Sequence, residues 1–295
     1  MLGRLTRSHL SILVAFSALA GYLFHPAGPD WRGAILLSLG VWSLAAGASA
    51  LNQAQEKEVD ARMVRTRTRP LVTGQLTVSS GIVIAALFLG IGLALLAATG
   101  EVQVLLLGLF ALTWYNLVYT PLKKVTPFAV LPGALCGALP LLMGWVLSGG
   151  GIFDSPILML CAIVVLWQVP HFWLLALAYP EDARRSGLPN LFTRIRPGRL
   201  RYLSLVWIVA LLAGVGFANL SGLIRADLSR IAVAIAMLLL GGALVRYHRR
   251  EPEPADSGRL FVQLNLFMTL LFVAVAVDRF AAKGDVFVSF ISALG

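Results

Sequence analysis

Apolar runs of about twenty residues recur along the chain, separated by short polar breaks. Each run is long enough to cross a ~30 Å hydrocarbon core as a helix. The pattern predicts spans near 9–27, 32–51, 78–98, 102–120, 128–149, 156–178, 202–222, 228–247 and 260–278, nine helices in one domain covering 1–295. Pro127, Pro132, Gly133, Gly137, Pro140 and Gly144 crowd around the fifth span, which is therefore expected to kink. Charge is almost absent inside the runs, which argues against a transporter, whose ionisable groups sit at mid-membrane.

Composition makes the membrane reading firm. At 58% hydrophobic and 13% charged, with a mean hydropathy of +0.83, the chain is no ordinary soluble domain. Cytoplasmic loops retain Lys and Arg. Starting the first helix inside places 19 basic residues on the cytoplasmic side and 5 outside. The N-terminus is thus expected in the cytoplasm and the C-terminus outside. The net charge of +10 is mostly this sidedness, and no nucleic-acid partner is implied. Arg4, Arg7, the first apolar run and Ala18-Leu19-Ala20 imitate a signal peptide. The run continues through Gly21, Tyr22, Leu23 and Phe24, so it is read as an uncleaved span. Cys136 and Cys161 fall inside spans, without metal or heme-attachment spacing.

Two charged segments, about 52–77 and 179–201, both fall on the predicted cytoplasmic side. In the first, Asn52, Glu56 and Asp60 recur every four residues, which stacks them on one helical face. Two carboxylates and an amide oxygen suit a hard divalent cation such as Mg2+. Arg65, Arg67 and Arg69 follow directly, and guanidinium groups beside a carboxylate-held metal suit a diphosphate. Glu58 falls on the opposite face, where a surface ion pair with Arg62 is expected. Arg67, Arg194 and Arg196 read as topology anchors at the lipid headgroups. The second segment offers Glu181 and Asp182, just after Trp167-Gln168-Val169-Pro170-His171-Phe172-Trp173. Convergence of the two acidic segments on one metal–diphosphate centre is the expectation, with a lipid tail between the helices.

These residues resemble the UbiA superfamily of intramembrane prenyltransferases, over most of the chain, and within it the branch that farnesylates protoheme. The superfamily's first motif is Asn-x3-Asp-x3-Asp; the branch's extension of it is matched by Asn52, Asp60, Met63, Arg65, Thr66, Arg69, Pro70, Leu71 and Gly74. The second signature is matched by Trp167, Gln168, Pro170, His171, Phe172, Tyr179, Glu181, Asp182, Gly187 and Pro189. Between them Tyr119-Thr120, Leu122-Lys123, Thr126, Gly137-Ala138, Pro140 and Gly144-Trp145 match the middle segment. The departures are Glu56 and Glu58 for two aspartates, Arg7-Ser8-His9 for Lys-Pro-Arg, Ala129 for an asparagine, and Pro140-Leu141 for a proline pair.

The resemblance implies an all-α, nine-span prenyltransferase bundle in the inner (cytoplasmic) membrane, with farnesyl diphosphate as donor and heme b as acceptor. Mg2+ would be held by Asn52, Glu56 and Asp60 with Glu181 or Asp182. Arg65, Arg69, Lys123 and Lys124 would grip the diphosphate, and His171 would take a porphyrin-side or proton-transfer role. Trp114, Tyr115, Phe172 and Trp173 would face the allylic cation. Two other readings stay open: an enzyme with an aromatic or quinone-precursor acceptor, which should carry Asp-x3-Asp in its second loop, and a non-catalytic heme-handling paralogue in oxidase assembly. A homo-oligomer, or contact with heme A synthase or oxidase assembly, is left open too.

Overall fold

A computed structural model describes residues 1–25, 30–189, 195–249 and 253–294, with side chains as far as Arg279 and Pro197 excepted. Among the described residues the chain is helices and turns without a strand. The helices are α1 (Leu2–Leu5), α2 (Ser8–Phe24), α3 (Trp31–Gln55), α4 (Lys57–Arg62), α5 (Val78–Ala97), α6 (Val102–Thr113), α7 (Thr120–Leu122), α8 (Val130–Gly133), α9 (Leu135–Leu147), α10 (Ser155–Ala178), α11 (Pro180–Arg185), α12 (Pro197–Leu220), α13 (Asp227–Arg249) and α14 (Pro254–Leu294). A π-helical stretch, Trp114–Tyr119, joins α6 to α7, and a 3-10 turn, Pro127–Ala129, precedes α8.

Eight helical segments among the described residues are long and apolar enough to cross a membrane, against nine predicted from the pattern. They lie on the second to ninth predicted spans. In place of the first is α2, apolar but only 17 residues long, about 25 Å at 1.5 Å per residue. The expected kink in the fifth span is a break at Ala134, with α8 before it and α9 after.

Helices in lipid gain little from hydrophobic burial against one another, so small residues that let backbones close up decide where they cross. At the α2–α9 crossing a Cβ on Gly21 would stand 1.9 Å from the Leu141 carbonyl oxygen, and one on Gly144 1.9 Å from that of Ala18. Helix α9 is shared by two cores. Leu141 and Trp145 pack toward α10, α12, α13 and α14; Met143 and Val146 pack toward α2, α3, α5 and α6.

The end of the bundle where α2 stops is closed by polar clamps. Tyr22 donates its hydroxyl to the Asp30 carbonyl at 2.9 Å, and the Asp30 carboxylate caps α3 by accepting from the Arg32 and Gly33 amides. Asp278 accepts from the Arg225 and Ala226 amides at 2.8 and 2.6 Å. Arg279 donates to the Leu223 carbonyl and lies 4.3 Å above the Phe24 ring. The opposite end carries the chemistry.

Candidate active site

Helix α3 continues past its predicted end to Gln55 and breaks at Glu56, where φ is −112° and ψ is 13°; α4 then resumes. Two backbone hydrogen bonds, Glu56 to Asn52 at 2.9 Å and Asp60 to Glu56 at 2.8 Å, carry the four-residue repeat across the break. Asn52, Glu56 and Asp60 therefore share one inward face, at 0%, 7% and 1% exposure. Glu58 points outward and is exposed. Its expected ion pair with Arg62 is not formed among the described residues; Arg62 instead lies against Gly187, whose Cβ position is 2.5 Å from Arg62 Nη1 and whose φ of +71° favours glycine.

Each of the three buried acceptors faces a cation. Arg7 Nη2 donates to Asn52 Oδ1 at 3.4 Å. Lys123 Nζ sits 2.6 Å from Glu56 Oε1, and Arg69 Nη1 donates to Asp60 Oδ2. At 2.6 Å the Lys123 ammonium and the Glu56 carboxylate form a close ion pair, with the Lys123 side chain 21% and the Glu56 side chain 8% exposed. Burial pushes the Asp60 carboxyl above its ordinary value, and Arg69 pulls it back down. Burial likewise lowers Arg69 and Lys123, opposed by their acidic partners. Lys123 also lies 4.9 Å over the Tyr119 ring.

The π-helical stretch locks this centre to α3. Insertion of an extra residue into the turn rotates Asn116 inward, where it is 1% exposed. Its Nδ2 donates to the Ala48 carbonyl and to Gln55 Oε1, both at 3.2 Å, and Gln55 returns a bond to the Asn116 carbonyl at 3.1 Å. Asn52 Nδ2 donates to Thr120 Oγ1 at 3.1 Å, which donates to the Tyr115 carbonyl. Asn116 was legible as a polar residue inside an apolar run, yet it was not among the expected site residues.

In sequence Arg7 reads as a basic residue before the first span and as a departure from the family's Lys-Pro-Arg, and not as a site residue. It is the one non-glycine residue with positive φ among the described residues, at φ 47° and ψ 52°, a strained conformation outside glycine and asparagine. Gln53 holds the preceding turn by donating to the Arg4 and Leu5 carbonyls at 2.8 and 2.7 Å. The strained turn aims the guanidinium at Asn52.

The second acidic segment meets the first. Asp182, 9% exposed, accepts from the Val64 amide at 2.7 Å and the Arg65 amide at 3.3 Å. Its carboxylate thus orders the turn that leads to Arg69. Glu181 is exposed and pairs with Arg184 at 3.3 Å and Arg185 at 3.8 Å on its own helix. Among the described residues no three of His, Cys, Asp and Glu gather as a metal site, so the expected joint ligand set with Glu181 or Asp182 is not assembled here. Asn52, Glu56 and Asp60 on their own supply hard oxygen donors on one buried face. In chemistry that set fits a divalent ion such as Mg2+.

The other expected residues divide. Arg65 and Arg67 project into solvent, and Lys124 donates to the Gln55 carbonyl at 3.3 Å, capping α3. Arg196 is exposed, and Arg194 lies outside the described residues. Tyr115 stacks near Tyr119, while Trp114 donates to the Pro132 carbonyl. Trp173 is buried against Trp207, in a separate cluster with Val130 and Leu200. His171 is bonded to Asn265 of α14, beside Phe172 and without a contact to the acidic centre.

Fold and site together define a polytopic helical membrane protein with a buried acid–base centre at one end of its bundle. Residues 14–273 match the UbiA prenyltransferase family, to which the chain belongs. It is 40% identical over 277 residues to the protoheme IX farnesyltransferase of Geobacter sulfurreducens, covering 92% of this chain and 96% of that one. Its fold is that of two solved UbiA homologues, each 20% identical. One, from Aeropyrum pernix K1, has a TM-score of 0.73 and covers 94% of this chain and 98% of its own. The other, from Archaeoglobus fulgidus and bound to GPP and Mg2+, has a TM-score of 0.66 with 93% and 99% covered.

Proposed function

We propose that this protein transfers a farnesyl group from farnesyl diphosphate to the vinyl group of heme b, giving heme O for terminal oxidase assembly. The relatives are named for farnesyl transfer to protoheme IX, and a diphosphate donor is supported by the solved UbiA homologue bound to GPP and Mg2+. The carrying observation is the row of three buried acceptors, Asn52, Glu56 and Asp60, each opposed by its own cation at one end of an apolar bundle. Asn52, Glu56 and Asp60 would hold Mg2+, which when bound neutralises diphosphate oxygens as a Lewis acid. Arg7, Arg69 and Lys123 would then turn from these acceptors to the phosphate, stabilising charge as the C1–O bond breaks and pyrophosphate leaves with the electron pair. Asp182 contributes by ordering the turn before Arg69. The vinyl carbon attacks the allylic cation, and water captures the new cation and loses a proton. The apolar helices keep water out until then. Excess basic charge on this end supports a cytoplasmic site in the inner membrane.

Incubating membranes containing the protein with farnesyl diphosphate and heme b is expected to give an extracted heme heavier by one farnesyl group and one hydroxyl. Chelating divalent ions should stop product formation, and Mg2+ should restore it. Conversion of an aromatic acid or quinol precursor, with heme left unchanged, would favour the other acceptor class.

Arg7→Asn separates guanidinium from backbone, because asparagine tolerates the left-handed conformation. It is expected to raise KM for farnesyl diphosphate about tenfold, the loss of one charge-assisted contact, with melting temperature unchanged. An unaltered KM would remove Arg7 from the donor site.

A further inference from the structure

Midway along the bundle, α10 and α14 share one polar contact that the diphosphate chemistry does not use. His171 Nδ1 lies 2.9 Å from Asn265 Oδ1, and Asn265 Nδ2 donates to the Phe261 carbonyl at 2.7 Å. A backbone carbonyl only accepts, so the amide nitrogen must face Phe261 and the amide oxygen must face His171. Reversing the amide would set two acceptors against each other. The amide oxygen also only accepts, so a neutral imidazole must carry its proton on Nδ1, which leaves the Nε2 lone pair free. Among the described residues Nε2 has no hydrogen-bond partner, and the ring is partly exposed.

Aromatic rings pack around the imidazole. The centroids of Trp167, Phe172 and Phe261 lie 4.9, 5.1 and 4.7 Å from that of the imidazole. A partly exposed imidazole with one unbonded nitrogen, set among flat aromatic rings, suits a planar macrocycle whose central metal has an open axial position. An imidazole that ligates a metal through one nitrogen almost always donates the other N–H to an oxygen behind it, which fixes tautomer and ring orientation. Asn265 stands in that position. A polar pair inside the membrane is otherwise costly unless it serves packing or function.

We propose that Asn265 is a positioning residue that holds His171 in its Nδ1–H tautomer, so that His171 Nε2 ligates the iron of the heme acceptor; this rests on the heme reading above. The test titrates the full-length protein in detergent with ferric heme b and follows the Soret band, with melting temperature and farnesylated-heme production measured in parallel. Wild type should give a saturable Soret shift. His171→Ala should abolish the shift, with added imidazole restoring it. Asn265→Leu should weaken heme affinity ~10- to 100-fold, the usual effect of removing an outer-shell partner. Asn265→Asp, which keeps the acceptor, should stay within a few-fold of wild type. If His171→Ala keeps the wild-type Soret maximum, or if Asn265→Leu binds heme like wild type, axial ligation through this pair is wrong, even though continued farnesylation of heme would uphold the function. Lower melting of Asn265→Leu with an unchanged Soret maximum and affinity would reduce the pair to an interhelical hydrogen bond. A wild type that neither binds nor farnesylates heme would overturn the heme reading itself, and this inference with it.

Discussion

Asp60→Asn is expected to abolish prenyl transfer and to destabilise the protein by about 3 kcal/mol, the lower end of what leaving one partner of a buried ion pair uncompensated costs. Both effects come from one carboxylate. Asp60 is 1% exposed and is the counterion of Arg69, whose side chain is itself only 15% exposed. The four-residue repeat alone implies a solvated metal-binding face, and hence a dead but stable variant. The structure corrects that, because α4 turns the face inward and the Arg69 turn covers it. Adding Arg69→Met to Asp60→Asn should recover part of the lost stability and none of the activity. Glu58→Gln, on the exposed side of the same helix, should change neither. Turnover and thermal melting in detergent read both effects. Wild-type turnover in Asp60→Asn would remove this carboxylate from the catalytic centre.

Gly144→Val is expected to prevent folding of the N-terminal half of the bundle. A Cβ there would stand 1.9 Å from the Ala18 carbonyl oxygen and 2.5 Å from the Tyr22 amide nitrogen. These are backbone atoms, so no side-chain rotation relieves the overlap and α2 must move away from α9. Overpacking a tight site typically costs 1–3 kcal/mol, and a backbone-to-backbone clash belongs at about 3 kcal/mol or more. Gly21→Val should behave alike, since its Cβ would meet the Leu141 carbonyl at the same crossing. Gly241→Ala is the control: nothing lies within 4 Å of its Cβ position, and the replacement should be neutral or slightly stabilising in a helix. Size-exclusion profiles after detergent extraction distinguish the three. Normal extraction and melting of Gly144→Val would mean that the close crossing is not required.

What the chain determines locally, its sequence displayed without help. Apolar runs place helices because lipid leaves backbone groups no partner outside the helix, and eight such segments lie on the predicted spans. The repeat of Asn52, Glu56 and Asp60 likewise follows from helical geometry and survives the break at Glu56. The prolines and glycines of the fifth span announced its interruption. Pairing was a different matter. That Arg7 reaches Asn52 depends on one left-handed residue at the start of α2, and φ is not written in residue type unless glycine occupies the position. That Asn116 turns inward depends on a π-helical insertion whose cost is offset by bonds to Ala48 and Gln55, residues more than sixty positions away. Asp182 looked like a metal ligand because acidic residues beside a membrane invite that reading; the fold directs its oxygens to the Val64 and Arg65 amides, since a turn with unpaired N–H groups at a buried junction needs an acceptor. Asn265 stood out only as a polar residue inside an apolar run, and the packing of α14 against α10 alone brings its amide to His171. Residue type and spacing therefore determined which groups are present and along which helices, while the tertiary structure alone decided which acid meets which base, because those contacts arise between segments whose relative placement no local periodicity encodes.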